Sequence, residues 1–384
     1  MRLPSRTELS KEQEQIFLGA PLTGAVIIIG PPGTGKTVMA VYRAKLLHKS
    51  GKKFHVAMYN KVLQKYTSGA MTECHDNVST WHRWIARWWR QAWSENIPEL
   101  APFEVDFHKA IKTYATSTPK NPDALDWGHL IIDEGQDFPT DFYLLCNFML
   151  TQPKSGNPAL TILIDENQRL DPKNNTSIEQ ISGAITAPKV YNLTINFRNT
   201  AQIAHLAEHF YAGSKAGIPT RPEGRQGPIP VLRAFPTRRD EIKNILNYAR
   251  LNEDRAIAVF VPTSRARSVY YEQLRAAAGD RILVQNYTSS RNSAMPELDK
   301  SGSITILCYQ SCKGLEFDTV FVPGLQYWSV DGIEESFTKM RFYVMSTRAR
   351  TMLHFSYFNC NTPPPATTLF PSETSGIIEW KKQP

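Results

Sequence analysis

The chain has 384 residues, 41% of them hydrophobic, and a formal net charge of +8. That composition excludes wholesale disorder, and the length suggests about two or three domains at roughly 100–200 residues each. No apolar run reaches the ~18–20 residues of a membrane span, and the first residues lack the apolar core of a secretory signal. Five scattered cysteines make no disulfide framework, so a cytoplasmic location is expected. The basic excess permits a polyanionic partner without proving one.

In chain order, short β-branched runs alternate with longer helical stretches. Strands are expected at Ala25–Ile29, Phe54–Met58, Leu130–Ile132, Thr161–Ile164 and Val190–Leu193, then at Val231–Ala234, Ala256–Val261, Ile304–Cys308 and Thr319–Val322. Helices are expected at Val38–Lys49, Ala201–Tyr211, Arg239–Leu251, Arg265–Ala277 and Phe337–Ser346. Such alternation predicts an α/β fold whose parallel sheets are covered by helices on both faces. Two such domains fit the length: residues 1–190, with a short insertion at about 84–125, and residues 191–358. Residues 359–384 read as an extended Pro-rich tail.

The strand Ala25–Ile29 runs into Gly30-Pro31-Pro32-Gly33-Thr34-Gly35-Lys36-Thr37, and a helical stretch follows. This fits G-x-x-x-x-G-K-[ST] in its required strand–loop–helix context. The glycines let backbone N–H groups close on phosphate oxygens, and the helix N-terminus adds positive potential. Lys36 can reach the β/γ-phosphates, and Thr37 can ligate Mg²⁺. The strand Leu130–Ile132 ends in Asp133-Glu134-Gly135-Gln136-Asp137. Both carboxylates then lie at the strand's C-terminal edge, where ligands of open α/β sheets sit. Asp133 would hold Mg²⁺, and Glu134 would orient and deprotonate water. That second carboxylate favours hydrolysis over a nucleotide switch or a kinase.

With these residues in place, the chain resembles a superfamily 1 helicase of the UvrD/Rep/PcrA kind, with two RecA-like P-loop domains. Leu9-Ser10-Lys11-Glu12-Gln13 is similar to the family's entry motif, which implies that Gln13 reads the adenine edge. Tyr59-Asn60-Lys61 and Thr80-Trp81-His82 resemble motifs that contact the single strand, implicating Asn60, Lys61, Thr80 and His82. Asp165-Glu166-Asn167-Gln168 resembles G-D-x-x-Q, placing Gln168 by the γ-phosphate. Leu193 to Arg198 is similar to L-x-x-N-Y-R, which makes Arg198 one arginine finger and Phe197 the ring that stacks on adenine. Ile304–Phe317 resembles T-x-H-x-x-K-G-L-E-F and implicates Lys313. It also puts Gly314 and Glu316 at the nucleotide and Tyr309, Gln310 and Ser311 at the strand. Tyr343 to Ala349 resembles Y-V-x-x-T-R-A and supplies a second finger, Arg348. The resemblance implies ATP hydrolysis in a cleft between two domains, coupled to 3′-to-5′ movement on single-stranded nucleic acid, DNA favoured over RNA. Closing such a cleft assembles the site, and the planar arginine fork suits phosphate.

Two departures stand out. The relatives carry a base-stacking Trp after the G-x-x-Q motif, whereas Arg169-Leu170-Asp171-Pro172 follows Gln168 here. The relatives' large insertion between the second-domain motifs is also absent, since only about 105 residues separate Arg198 from Ile304. Both motivate an alternative: a regulatory ATPase that gates a partner such as a nuclease in genome defence, with little unwinding of its own.

Five tryptophans crowd into Trp81–Trp93, with Arg83, Arg87 and Arg90 on another helical face. The tryptophans read as a core face, and the arginines can touch phosphate. His205-Leu206-Ala207-Glu208-His209 matches the inverted zinc-protease pattern H-x-x-E-H, but no third ligand is evident, so zinc is not expected.

Overall fold

The computed structural model describes residues 5–58, 72–165, 176–212, 222, 225–287, 297, 300–330 and 334–382. The chain divides into two compact units, Met1–Thr194 and Ile195–Pro384. Each is a parallel sheet covered by helices.

The first unit contains β1 (Ala25–Ile29), β2 (Phe54–Met58), β3 (Val78–Thr80), the hairpin β4 (Glu99–Ala101) and β5 (Glu104–Val105), β6 (His129–Ile132), β7 (Ala159–Ile164) and β8 (Lys189–Asn192). Its main sheet has the order β3-β2-β6-β7-β1-β8, with every pairing parallel. The strands read as unbroken apolar runs because both faces are buried. Ile27, Leu130, Ile132, Leu160 and Ile162 pack to one side. Val26, Ile28, Ile131 and Leu163 pack to the other, with Met39, Ala40 and Ala44 of the helix Lys36–Lys49. The alternation follows the two-residue period of a strand.

The helix Trp81–Trp93 supplies much of the first of these cores. Trp81, Trp84, Trp88, Trp89 and Trp93 are all buried, and the Trp84 and Trp88 rings stack at 5.7 Å. Arg83, Arg87 and Arg90 lie exposed on the other face. The tryptophans are core residues, as their spacing predicts. The stretch expected as an insertion therefore builds one face of this unit, joined by Phe107, Ala110 and Tyr114 of the helix Phe107–Thr116.

The second unit holds β9 (Val231–Phe235), β10 (Ala256–Val261), β11 (Leu283–Asn286), β12 (Ser303–Cys308), β13 (Phe317–Val322), β14 (Ala349–Phe358) and β15 (Glu379–Lys381). The order is β11-β12-β10-β13-β14-β9-β15, again with parallel pairings. The helices Arg238–Leu251 and Ser264–Ala278 cover one face through Ile242, Ile245, Tyr270 and Leu274. Thr237 and Thr263 cap them, each accepting a backbone N–H three residues on.

The C-terminal stretch corrects the reading of a simple extended tail. Phe370 packs among Phe210, Phe342 and Phe355, at ring-centroid distances of 5.0, 5.5 and 4.8 Å. β15 then adds to the sheet edge beside β9. Prolines suppress helix in this stretch but do not prevent burial of the apolar residues between them.

Among the described residues, no helix is long and apolar enough to cross a membrane. Cys146, Cys308, Cys312 and Cys360 are all free thiols.

Candidate active site

In the first sheet β6, β7 and β1 are neighbours. Their C-terminal ends carry Asp133-Glu134, Asp165 and the Gly30–Thr37 loop respectively. Segments more than a hundred residues apart in sequence thus converge on one edge, as ligand sites of parallel sheets require.

Lys36 sits at the start of its helix and is nearly buried. Its Nζ donates to the carbonyls of Gly30 (2.7 Å) and Pro31 (3.1 Å) and pairs with Asp165 Oδ2 at 2.9 Å. The ammonium is thereby held inside the loop. Gly35 precedes it with φ of 89°, a left-handed conformation, and a Cβ there would lie 2.4 Å from Gln13 Nε2. Gln13 is buried; it donates to Thr34 O at 3.0 Å and accepts from Ser10 N at 3.1 Å. Its amide is anchored at the loop, where the resemblance puts the adenine reader. Gly30, Pro31, Pro32, Gly33 and Thr34 complete the turn between β1 and the helix.

Thr37 Oγ1 donates to Asp133 Oδ2 at 2.9 Å. Asp133 Oδ1 accepts from the Glu134 backbone N–H at 3.1 Å. Burial pushes the Asp133 carboxyl up to about 7, and the adjacent Glu134 charge adds to this. The buried Asp133 carboxylate beside the Thr37 hydroxyl is a hard oxygen pair of the kind that suits Mg²⁺, and a cation there would relieve the cost of burying that charge. Glu134 has φ of 57°, an uncommon conformation for a non-glycine residue that deserves a reason. Gln136 supplies one: its Nε2 donates to Glu134 Oε2 at 2.6 Å, and its Oε1 accepts from Asp165 N at 2.9 Å. Gln136 therefore links the ends of β6 and β7 and fixes the Glu134 carboxylate. The structuring roles of Gln136 and Asp165 were not read from the sequence, although both lie in motifs that were. Gln168 lies outside the described residues.

In the second unit the two motif arginines meet at Thr347. Arg198 Nη1 donates to Thr347 O at 3.3 Å, and Arg348 Nη2 donates to Thr347 Oγ1 at 2.9 Å. Arg348 is fully buried, and its Nε also donates to Val344 O at 3.0 Å. Asn196 turns the Arg198 backbone, accepting its N–H at 3.0 Å. Asn199 ties the same loop to Ala349 O at 2.6 Å. Arg225 donates to the carbonyls of Phe197 and Arg198. Phe197 is 46% exposed, leaving its ring open for stacking.

Glu316 is engaged differently from a plain nucleotide ligand. It accepts from Arg198 Nη2 at 2.6 Å and from Arg350 Nη2 at 2.9 Å. Burial would raise its carboxyl, but the two guanidinium groups outweigh this and hold it at about 2. The pair was legible only in part, because nothing in the motif pattern points to Arg350. Gly314, with φ of 75°, forms the turn before β13. A depressed carboxyl stabilises the fold fully above its ordinary value of 4.5, and that contribution disappears as pH falls through about 2. Between pH 6 and pH 3, acid should therefore cost the wild type about 2 kcal/mol more stability than it costs Glu316→Gln. Urea titrations at pH 6 and pH 3 check this, and equal losses in both proteins would refute it.

Thr80 ends β3, and His82 stands one residue into the Trp-rich helix, its ring 3.7 Å from that of Trp81. In the second unit Tyr309, Gln310 and Ser311 form a short turn after β12. Tyr309 packs on Trp328 at 5.5 Å, and the Arg341 guanidinium lies 5.1 Å from its ring centre. Asn60 and Lys61 lie outside the described residues. His209 of the H-x-x-E-H stretch contacts Leu369 O at 3.0 Å through Nε2. No cluster of three or more potential metal ligands forms among the described residues.

Residues 13–172 match the family model of an AAA domain, and residues 281–360 match that of the UvrD-like helicase C-terminal domain. A protein of Acanthamoeba polyphaga mimivirus named "Putative ATP-dependent DNA helicase R568" is 24% identical over 237 residues. That match covers 58% of this chain and 33% of the viral protein, so the chain spans about a third of that relative's length. The solved C-terminal domain of a possible DNA helicase from Lactobacillus plantarum is 16% identical, with a TM-score of 0.35, over 48% of this chain and 98% of that one.

Proposed function

Because the chain belongs to the UvrD-like superfamily 1 family, with an AAA domain followed by a UvrD-like helicase C-terminal domain, we propose that it hydrolyses ATP and uses the energy to move on single-stranded DNA. The observation that carries this reading is the network Lys36–Asp165–Gln136–Glu134, with Asp133 bonded to Thr37 alongside. It joins a phosphate-binding lysine, a metal-type oxygen pair and a fixed carboxylate at one sheet edge. In this reading Lys36 neutralises the β/γ-phosphates, and Thr37 and Asp133 hold Mg²⁺. Bound there, Mg²⁺ supplies charge neutralisation of the phosphate oxygens. Glu134, held by Gln136, orients water and takes its proton. Arg198 and Arg348 are the charge-neutralising arginines by resemblance, and Phe197 is the adenine-stacking ring.

The proposed polarity is 3′-to-5′, and the proposed setting is the cytoplasm. Displacement of a labelled strand from duplexes bearing either a 3′ or a 5′ single-stranded tail, with ATP and Mg²⁺, tests the motor. Displacement from the 3′-tailed duplex alone is expected. Activity only from the 5′ tail would overturn the polarity. A regulatory ATPase that gates a partner nuclease is the second reading, favoured by the lack of an aromatic after Gln168. Strand-stimulated hydrolysis with no displacement from either duplex would shift the balance to it.

A further inference from the structure

An open cavity of about 500 Å³ lies between the helix Trp81–Trp93 and the hairpin β4–β5, within the first unit. Its lining includes His82, Arg83, Ile85, Ile97, Glu99 and Phe103. Core packing does not account for Phe103. The side chain is 64% exposed, and the residue has φ of 69°, in the left-handed region. It follows Pro102 in the hairpin turn, at a position where glycine or asparagine would be relaxed. A phenyl ring held exposed on a strained turn points to a use outside the fold.

His82 adds a second observation. Its ring is hydrogen-bonded to the Phe103 backbone, which ties the hairpin turn to the helix. Burial lowers the imidazole pKa against the opposing pull of this bond and of Glu99. The shift favours the uncharged imidazole, so His82 is a poor cation for phosphate. The charges give a third. Arg83 and Glu99 both line the cavity, and Arg87 and Arg90 are exposed further along the same helix. The exposed arginines leave positive charge at the cavity rim and beyond it, where a phosphate can sit. A nucleotide strand answers this pattern, with its base inside and its phosphate against the arginines.

We propose that this cavity takes one unstacked base of a bound single strand, with Phe103 as the stacking surface and Arg83 at the flanking phosphate. The proposal rests on the strand-binding reading above. It gives the chain an aromatic base contact at a different place from the Trp that it lacks after Gln168.

Fluorescence anisotropy of the full chain with labelled oligo-dT, and with the same strand carrying abasic sites throughout its centre, tests it. Phe103→Ala should weaken oligo-dT binding by about 5- to 150-fold, the range expected for one base–aromatic stack. Phe103→Tyr should restore it, which also controls for folding. The abasic strand should bind wild type and Phe103→Ala equally, while Arg83→Ala should weaken both strands alike. If wild type binds oligo-dT and Phe103→Ala binds it equally well, the base pocket is wrong and strand binding stands. In that case the exposed hairpin side chains Leu100 and Phe103 would be assigned to a protein contact. Equal weakening of both strands by Phe103→Ala would also overturn base stacking. Failure of the wild type to bind any strand would overturn the strand-binding reading itself.

Discussion

Glu134→Gln should lower ATP turnover by about 10²–10⁴-fold while ATP still binds, the loss expected when a general base is removed. The substitution keeps the side chain's shape but removes the site that accepts a proton from water. Gln136 Nε2 now donates to Glu134 Oε2. It can still donate to the amide oxygen of a glutamine, so the loop between β6 and the following turn should persist. Phosphate release in single turnover checks the chemical step, and quenching of a fluorescent ATP analogue checks binding. Normal turnover in Glu134→Gln would show that another group activates the water. Gln136→Ala tests the support: it should cut turnover less than Glu134→Gln and destabilise the first unit, because it also leaves the Asp165 N–H without its Gln136 acceptor.

Lys36→Ala should abolish turnover and weaken ATP binding, for two separable reasons. The first is loss of the phosphate-binding ammonium. The second is structural. Lys36 and Asp165 pair at 2.9 Å with side-chain exposures of 7% and 0%. Removing one partner of a buried pair costs about 3–5 kcal/mol, because the other charge stays buried. The double variant Lys36→Ala/Asp165→Asn should therefore recover much of the lost stability in urea denaturation without recovering turnover. Recovery of turnover in the double variant would show that Lys36 acts only through Asp165.

Much of the architecture was legible because both sheets are buried on two faces. Runs such as Ala25–Ile29 and Ala256–Val261 are unbroken apolar stretches, and the structure makes each a central strand with the same bounds. Strands at the margins carry weaker signals. Glu99–Ala101 and Leu283–Asn286 are short, are flanked by charge or contain polar residues, and were not read. β14 was missed for another reason: Arg350, Thr351 and His354 interrupt its apolar pattern, and it begins at the last residue of the T-R-A motif, Ala349.

The candidate site shows the same division. Lys36, Thr37, Asp133 and Glu134 are local to two motifs, and the strand order β6-β7-β1 brings those motifs to one edge. The ties between segments are not local. The pairing of Lys36 with Asp165 spans 129 positions, and the bond from Gln136 to Asp165 spans 29. Arg350 on Glu316 and Arg225 on the Arg198 carbonyl likewise follow from tertiary packing, which no short pattern encodes. The tryptophans were legible as core because helical spacing separates them from Arg83, Arg87 and Arg90. Phe103 was not, since a single phenylalanine in a turn looks ordinary until its exposure and backbone conformation are known.

The most direct test of the central claim is steady-state ATP hydrolysis by the full chain with Mg²⁺, with and without single-stranded DNA or RNA, alongside Lys36→Ala. Strong stimulation by single-stranded DNA, weaker stimulation by RNA, and none of either in Lys36→Ala are expected. Wild-type hydrolysis that neither strand changes would contradict a motor that runs on nucleic acid.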